Sequence, residues 1–143
     1  MGGDGSAPGA RRLVLHVDGG ARGNPGPAAI GVVIDDADGV RLEDLAERIG
    51  EATNNVAEYR ALLRGLERAA ELGARELEVI NDSELVAKQL NGVYKVKHPA
   101  MRPLFEEASR RLRTFERWSI RSVPRAANAE ADALVNAALD GRR

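Results

Sequence analysis

The 143-residue chain contains no cysteine, which excludes disulfides and thiolate metal sites and fits a reducing compartment. It also lacks any run of the roughly 18 consecutive apolar residues that a membrane-spanning helix needs, and its N-terminus carries no apolar signal segment. These absences lead to the expectation of a cytoplasmic protein with no membrane partner. No internal repeat of about 20 to 50 residues runs through it, which argues against a solenoid. Net charge is scarce as well. The 21 Lys+Arg and 22 Asp+Glu residues nearly cancel to −1, so bulk electrostatics would not coat this chain with nucleic acid.

What is present is a hydrophobic fraction of 43%, enough for one domain with a real core and, at this length, not for two. The opening MGGDGSAPGAR has no apolar periodicity and reads as a flexible tail over residues 1–11, leaving a domain over residues 12–140. The charge is unevenly spread: residues 1–81 carry 9 basic and 14 acidic side chains, a net −5, and residues 82–143 carry 12 and 8, a net +4. Between Lys88 and Arg125 ten basic residues face three acidic ones, which suits either a solvated face or a patch turned toward a polyanion.

The run RLVLHVD over residues 12–18 is almost continuously apolar and predicts a central strand, with His16 in the core. Residues 29–36 predict a second strand, and the Asp38-Gly39 turn leads into a third over residues 40–49. Thr53 or Asn54 can cap a helix whose apolar positions Val56, Tyr59, Leu62, Leu63, Leu66 and Ala70 repeat with helical spacing until Gly73. LEVIND follows as a short strand, then a helix capped by Ser83 or Asp82, a basic connection, a helix over residues 102–115, a strand over 118–123 and a last helix capped by Asn128. This order predicts an α/β fold: a mixed five-stranded sheet, three antiparallel strands then two parallel, with helices on both faces.

The loop after Asp18 places Gly20, Gly23 and Gly26 three apart, with no Lys-Ser/Thr and with a strand rather than a helix behind it. It is therefore neither a dinucleotide fingerprint nor a P-loop. It can still let an extended ligand lie against main chain, with Arg22 and Asn24 supplying polar contacts. Asp18 and Asp82 each end an apolar strand, and ligands in open α/β sheets sit at carboxyl ends of strands. Glu58 and Asp132 flank the apolar stripes of two helices. Taken singly, each has an ordinary explanation as a cap, turn or first-turn acid. Gathered together, four carboxylates would repel one another unless a cation compensates them, and hard oxygen ligands suit Mg²⁺ or Mn²⁺.

The set VDGGARGNPGPAA, TNNVAEYRALLRGL, NDSELVAKQLNG and VPRAANAEADALVNAAL resembles, in order and spacing, the ribonuclease H family of type 1, in its form without the long basic protrusion. The resemblance implies a quartet of Asp18, Glu58, Asp82 and Asp132 that binds two divalent ions, Mg²⁺ or Mn²⁺, and hydrolyses the RNA strand of an RNA/DNA hybrid to 5′-phosphate and 3′-hydroxyl ends. It further implies substrate contacts from Gly19, Gly20, Arg22, Gly23 and Asn24 in the loop, from Thr53, Asn54 and Asn55 at the helix start, and from Ser83 and Glu84. Sugar edges read in the minor groove distinguish RNA from DNA. Where many members carry a histidine in the loop before the last helix, this chain offers Arg125, and Glu84 stands where a glutamine is common. The basic run adds Lys95, Lys97 and Arg102, with Lys88 nearby, as candidates for holding DNA-strand phosphates. A related-fold nuclease for another nucleic acid and a non-catalytic hybrid-binding module are the alternatives. No obligate protein partner is expected, and a monomer is.

Overall fold

A computed structural model describes residues 11–143. All but Arg11 of the tail expected over residues 1–11 lies outside the described residues. Five strands, β1 (Arg12–Ala21), β2 (Gly26–Asp36), β3 (Arg41–Ala52), β4 (Glu76–Asn81) and β5 (Arg117–Ser122), form one sheet in the order β3-β2-β1-β4-β5. The pairs β1–β2 and β2–β3 are antiparallel, and β1–β4 and β4–β5 are parallel. The expected mixed sheet is therefore present, with β1 at its centre. Helices α1 (Asn54–Glu71), α2 (Glu84–Leu90) and α3 (Arg102–Leu112) pack on one face, and α4 (Ala129–Leu139) covers part of the other. Among the described residues no helix is long and apolar enough to cross a membrane.

The Thr53 hydroxyl accepts a hydrogen bond from the Val56 N–H at 3.2 Å, which settles the cap of α1, and Ser83 does the same for α2 through Val86. The buried face of α1 presents Tyr59, Leu62 and Leu66 to Leu13, Leu15 and Val17 of β1. Each such side chain removed from water contributes about 1.5–3 kcal/mol. Ala69, not Ala70, completes this stripe, because the face drifts around the helix at 3.6 residues per turn. Inside the core, the Tyr59 hydroxyl donates to Gln89 Oε1 at 2.6 Å and ties α1 to α2. A smaller cluster of Ala29, Val135 and Ala138 fixes α4 on the opposite face.

Several boundaries differ from the sequence expectation. Strand β1 continues three residues past Asp18, pairing Gly19, Gly20 and Ala21 with Ile30, Ala29 and Ala28, so the open loop shrinks to residues 22–25. Small residues on both strands let the ladder run on beneath the helices. His16 is half-buried on the α4 side, 4.0 Å from Asp35, and outside the core, since its side chain alternates away from Leu15 and Val17. Helix α3 stops at Leu112, three residues early. Asn128 makes no cap hydrogen bond to α4 and closes a 3-10 turn (Arg125–Asn128) instead.

Two glycines on adjacent strands govern how closely the helices approach. A Cβ at Gly19 would lie 2.1 Å from the Ala57 carbonyl oxygen of α1, and one at Gly31, paired opposite Asp18, would lie 2.4 Å from that of Ala131 in α4. Backbone cannot yield there without moving a helix. Gly19→Ala is therefore expected to lower stability by about 1–3 kcal/mol in urea unfolding, whereas Gly20→Ala, whose Cβ would meet only Val135 Cγ1 at 3.6 Å, leaves the midpoint nearly unchanged. Equal midpoints for the two variants would show that α1 yields freely.

Candidate active site

Asp18, only 5% exposed, projects from the centre of the sheet beside the two helices that the glycines admit. Glu58 arrives from the first turns of α1, where its Oε1 accepts a hydrogen bond from the Gly19 N–H at 2.9 Å. Asp82 follows the last residue of β4, which runs parallel to β1, so both acids emerge at the same edge. One oxygen from each of Asp18, Glu58 and Asp82 lies within 4.8 Å of the others. Asp132 stands outside that tight group but lines the same cavity of about 440 Å³, from the first turn of α4. Arg41 of β3 secures that helix start by gripping Asp35 at 2.7 Å and both oxygens of Glu130 at 2.9 Å.

The electrostatics call for a cation. Burial, followed by the charges of Asp82 and Asp132, pushes the Asp18 carboxyl up to about 8 from an ordinary 3.8. Burial, followed by the charge of Asp18, pushes Glu58 up to about 9, against the opposing Gly19 hydrogen bond. Hard carboxylate oxygens clustered in one polar recess fit a divalent metal of the magnesium type, whose charge offsets their repulsion. The acidic cluster is compatible with metal binding on its donor chemistry alone.

Arg125 lies across the mouth of the cavity, with its Nη2 3.0 Å from Asp132 Oδ1. On the other side Arg22 bonds Asp140 at 2.6 Å and Asn136 at 3.3 Å. Asn136, which lines the cavity, and Asp140, the C-cap of α4, are neighbours that the sequence did not single out. Their signal is the four-residue spacing of 132, 136 and 140, which places them along one side of α4 and its cap. Asn24 Oδ1 accepts from the Asn54 N–H at 3.0 Å, and Asn54 Oδ1 accepts from the Ala21 N–H at 2.9 Å, so the two side chains clasp the loop to α1. Gly20, Arg22 and Asn54 line the cavity, Gly23 and Asn55 are exposed beside it, and Gly19 also lines it although buried under α1.

Thr53 and Ser83 use their hydroxyl lone pairs as caps, and Glu84 is exposed and pairs with Lys88 at 3.6 Å. Lys95 and Lys97 point into solvent on either side of Val96, which is buried and pins the connection to the core. Arg102 donates to the Val96 carbonyl at 3.1 Å, so it braces this connection as well as adding charge.

The reverse transcriptase-like family model matches residues 16–138. The crystal structure of RNase H1 from the halophilic archaeon Halobacterium salinarum superposes with a TM-score of 0.89 at 47% identity, covering 91% of this chain and 98% of that one. The chain belongs to the ribonuclease H family. Among curated relatives it is 47% identical over 129 residues to ribonuclease HI of H. salinarum, and 48% identical over 130 residues to the bifunctional protein Rv2228c of Mycobacterium tuberculosis. It spans 65% of the first and 36% of the second, and 90% of this chain is matched in each case. LC11-RNase H1, solved in complex with an RNA/DNA hybrid, shares this ribonuclease H fold with a TM-score of 0.86 and 46% identity, covering 90% of this chain and 97% of its own.

The raised carboxyls make a directional prediction. An acid whose pKa is higher folded than unfolded stabilises the fold below the unfolded value and ceases to do so as pH rises through the folded value. For Asp18 and Glu58 that loss spans pH values from about 4 to about 9. In metal-free buffer, Asp18→Asn should therefore gain melting temperature over the parent progressively across that window. Millimolar Mg²⁺ should raise the parent's melting temperature more at the alkaline end than at the acid end. A constant difference between the two proteins at all pH values would contradict the repulsive cluster.

Proposed function

We propose that this domain is a metal-dependent endonuclease that hydrolyses the RNA strand of RNA/DNA hybrids, leaving 5′-phosphate and 3′-hydroxyl ends. The observation that carries the reading is the gathering of Asp18, Glu58, Asp82 and Asp132 at one cavity edged by a glycine-asparagine loop. A pure binding module gains nothing from acids placed where phosphates must come. In this reading the four carboxylates would hold two divalent ions, Mg²⁺ or Mn²⁺, whose chemistry there would be to activate a water and to offset charge on the phosphate. Asp18, central among the acids, would be a ligand of that site.

The remaining residues bind and orient. Asn24 and Asn54 have given their side-chain oxygens to the protein, so their amide N–H₂ groups remain to donate to sugar and base edges in the minor groove. Arg22 and Arg125 are the cations lining the cavity, and they offset its negative charge toward an incoming phosphodiester. Lys95 and Lys97, free in solvent beyond α2, take phosphates of the DNA strand. The hybrid is the partner on this reading, the protein acts as a monomer, and the compartment is the cytoplasm.

Gel analysis of labelled hybrid, single-stranded RNA and duplex DNA, with and without Mg²⁺, tests the reading directly. Cleavage confined to the RNA of the hybrid and dependent on Mg²⁺ is expected, as is its loss in Asp18→Asn with hybrid binding retained. Hybrid binding without cleavage would favour the binding module, and cleavage of another nucleic acid would favour a different nuclease. Replacing Lys95 and Lys97 together with alanine should raise KM several-fold, flatten the salt dependence by about one to two units of slope and leave kcat nearly intact. An unchanged salt slope would reduce the basic connection to a solvated face.

A further inference from the structure

The side chain of Asn128 is 2% exposed and reaches back 111 positions in the chain, where its Nδ2 donates to the Val17 carbonyl oxygen at 2.9 Å. This is an unusual place for an amide. The parallel pairing of β1 with β4 ends at His16 opposite Ile80, and Val17 is the next residue along β1. Asn128 thus takes the carbonyl at the point where the two central strands part to make room for the acids. Its Oδ1 is buried with no hydrogen-bond partner. Rotating the amide by half a turn would set Oδ1 against the Val17 oxygen, so the orientation follows from the contact.

An orphaned buried acceptor is unfavourable and offsets part of what the bond to the Val17 carbonyl contributes, so net stability is a weak reason for an amide at this position. The contact has a different consequence. Val17 immediately precedes Asp18, and Asn128 immediately precedes α4, whose first turn carries Asp132. A single hydrogen bond therefore joins the backbones that carry two of the four acids from opposite layers of the fold. Arg125, which bonds Asp132, lies in the 3-10 turn that Asn128 closes.

We infer that Asn128 is a positioning residue of the metal site, which sets the separation of Asp18 and Asp132 by clamping the entry to α4 onto β1 at Val17. The inference rests on the proposed metal-binding role of the quartet. Outer contacts of this kind commonly tune metal affinity by about 10- to 100-fold.

Calorimetric titration of the whole chain with MgCl₂ and with MnCl₂, without nucleic acid, provides the test. Asn128→Ala deletes the orphaned oxygen but also leaves the buried Val17 carbonyl without this donor, so its melting temperature should fall modestly while the chain stays folded. Its divalent-ion affinity should fall about tenfold, and the Mg²⁺ concentration for half-maximal cleavage should rise by a similar factor, with KM for hybrid at saturating Mg²⁺ unchanged. If Asn128→Ala does not fold, Asn128→Ser, which keeps a hydroxyl but shortens the reach to Val17, should show the same direction of shift. A lowered melting temperature with unchanged metal affinity in the folded variant would make Asn128 merely structural and overturn the inference. A parent chain that binds neither ion would overturn the metal-site reading and this inference with it, whereas parent binding abolished by Asp18→Asn but untouched by the Asn128 variants overturns this inference alone.

Discussion

The close passage of two helices over the middle of one strand is the constraint on which the rest of this structure depends. Gly19 and Gly31 remove the side chains that would hold α1 and α4 away from the sheet, one on each face, at the position of Asp18. Because α1 comes down onto Gly19, Glu58 can take that residue's N–H and stand beside Asp18. Because α4 comes down onto Gly31, Asp132 enters the same cavity from the other side. The parallel strand β4 delivers Asp82 without any further device, since parallel neighbours end at the same edge.

Such convergence is electrostatically unfavourable, and the fold shows what opposes it. The Gly19 amide faces Glu58, Arg125 faces Asp132, and Arg41 holds Glu130 at the entry to α4. Arg125 also attracts Asp18 and Asp82 through charge, yet Asp18 keeps the burial and the repulsion of its neighbours. Sites that bind cations or substrates are where a fold keeps arrangements that lower its own stability. The large core of α1 to α3 against β1 and β4 supplies the stability that this local repulsion removes.

The lysines, unlike Arg22 and Arg125, are kept out of this cavity. The connection between α2 and α3 is anchored through Val96 and braced by Arg102, and that anchoring leaves Lys95 and Lys97 in solvent. Placing mobile lysines away from the acids avoids ion pairs that would neutralise both. On the proposed reading it also lets affinity for a polyanion and the chemistry at the acids vary independently, as contacts to phosphate carry no sequence information.

The sequence by itself determined the element order and the α/β class, and it singled out four acids that line one cavity of the fold. Apolar runs, caps and helical spacing are local properties, and the four ordered motifs carry a family resemblance that the 47% identical H. salinarum structure supports. Its local signals misjudged the length of β1, because glycines read as a loop were paired beneath two helices. They also misjudged Asn128, whose position ahead of a helix suggests a cap while its hydrogen bond goes to Val17. The lone Gly31 within AIGVVI hinted at a close backbone approach, but nothing local says which helix arrives there. Only the tertiary structure decided that Asp18, Glu58 and Asp82 gather within 4.8 Å of one another while Asp132 reaches Asp18 from α4 and pairs with Arg125. The physical reason is distance along the chain: contacts between residues 17 and 128, or 19 and 58, are set by how layers pack, and no local propensity encodes them.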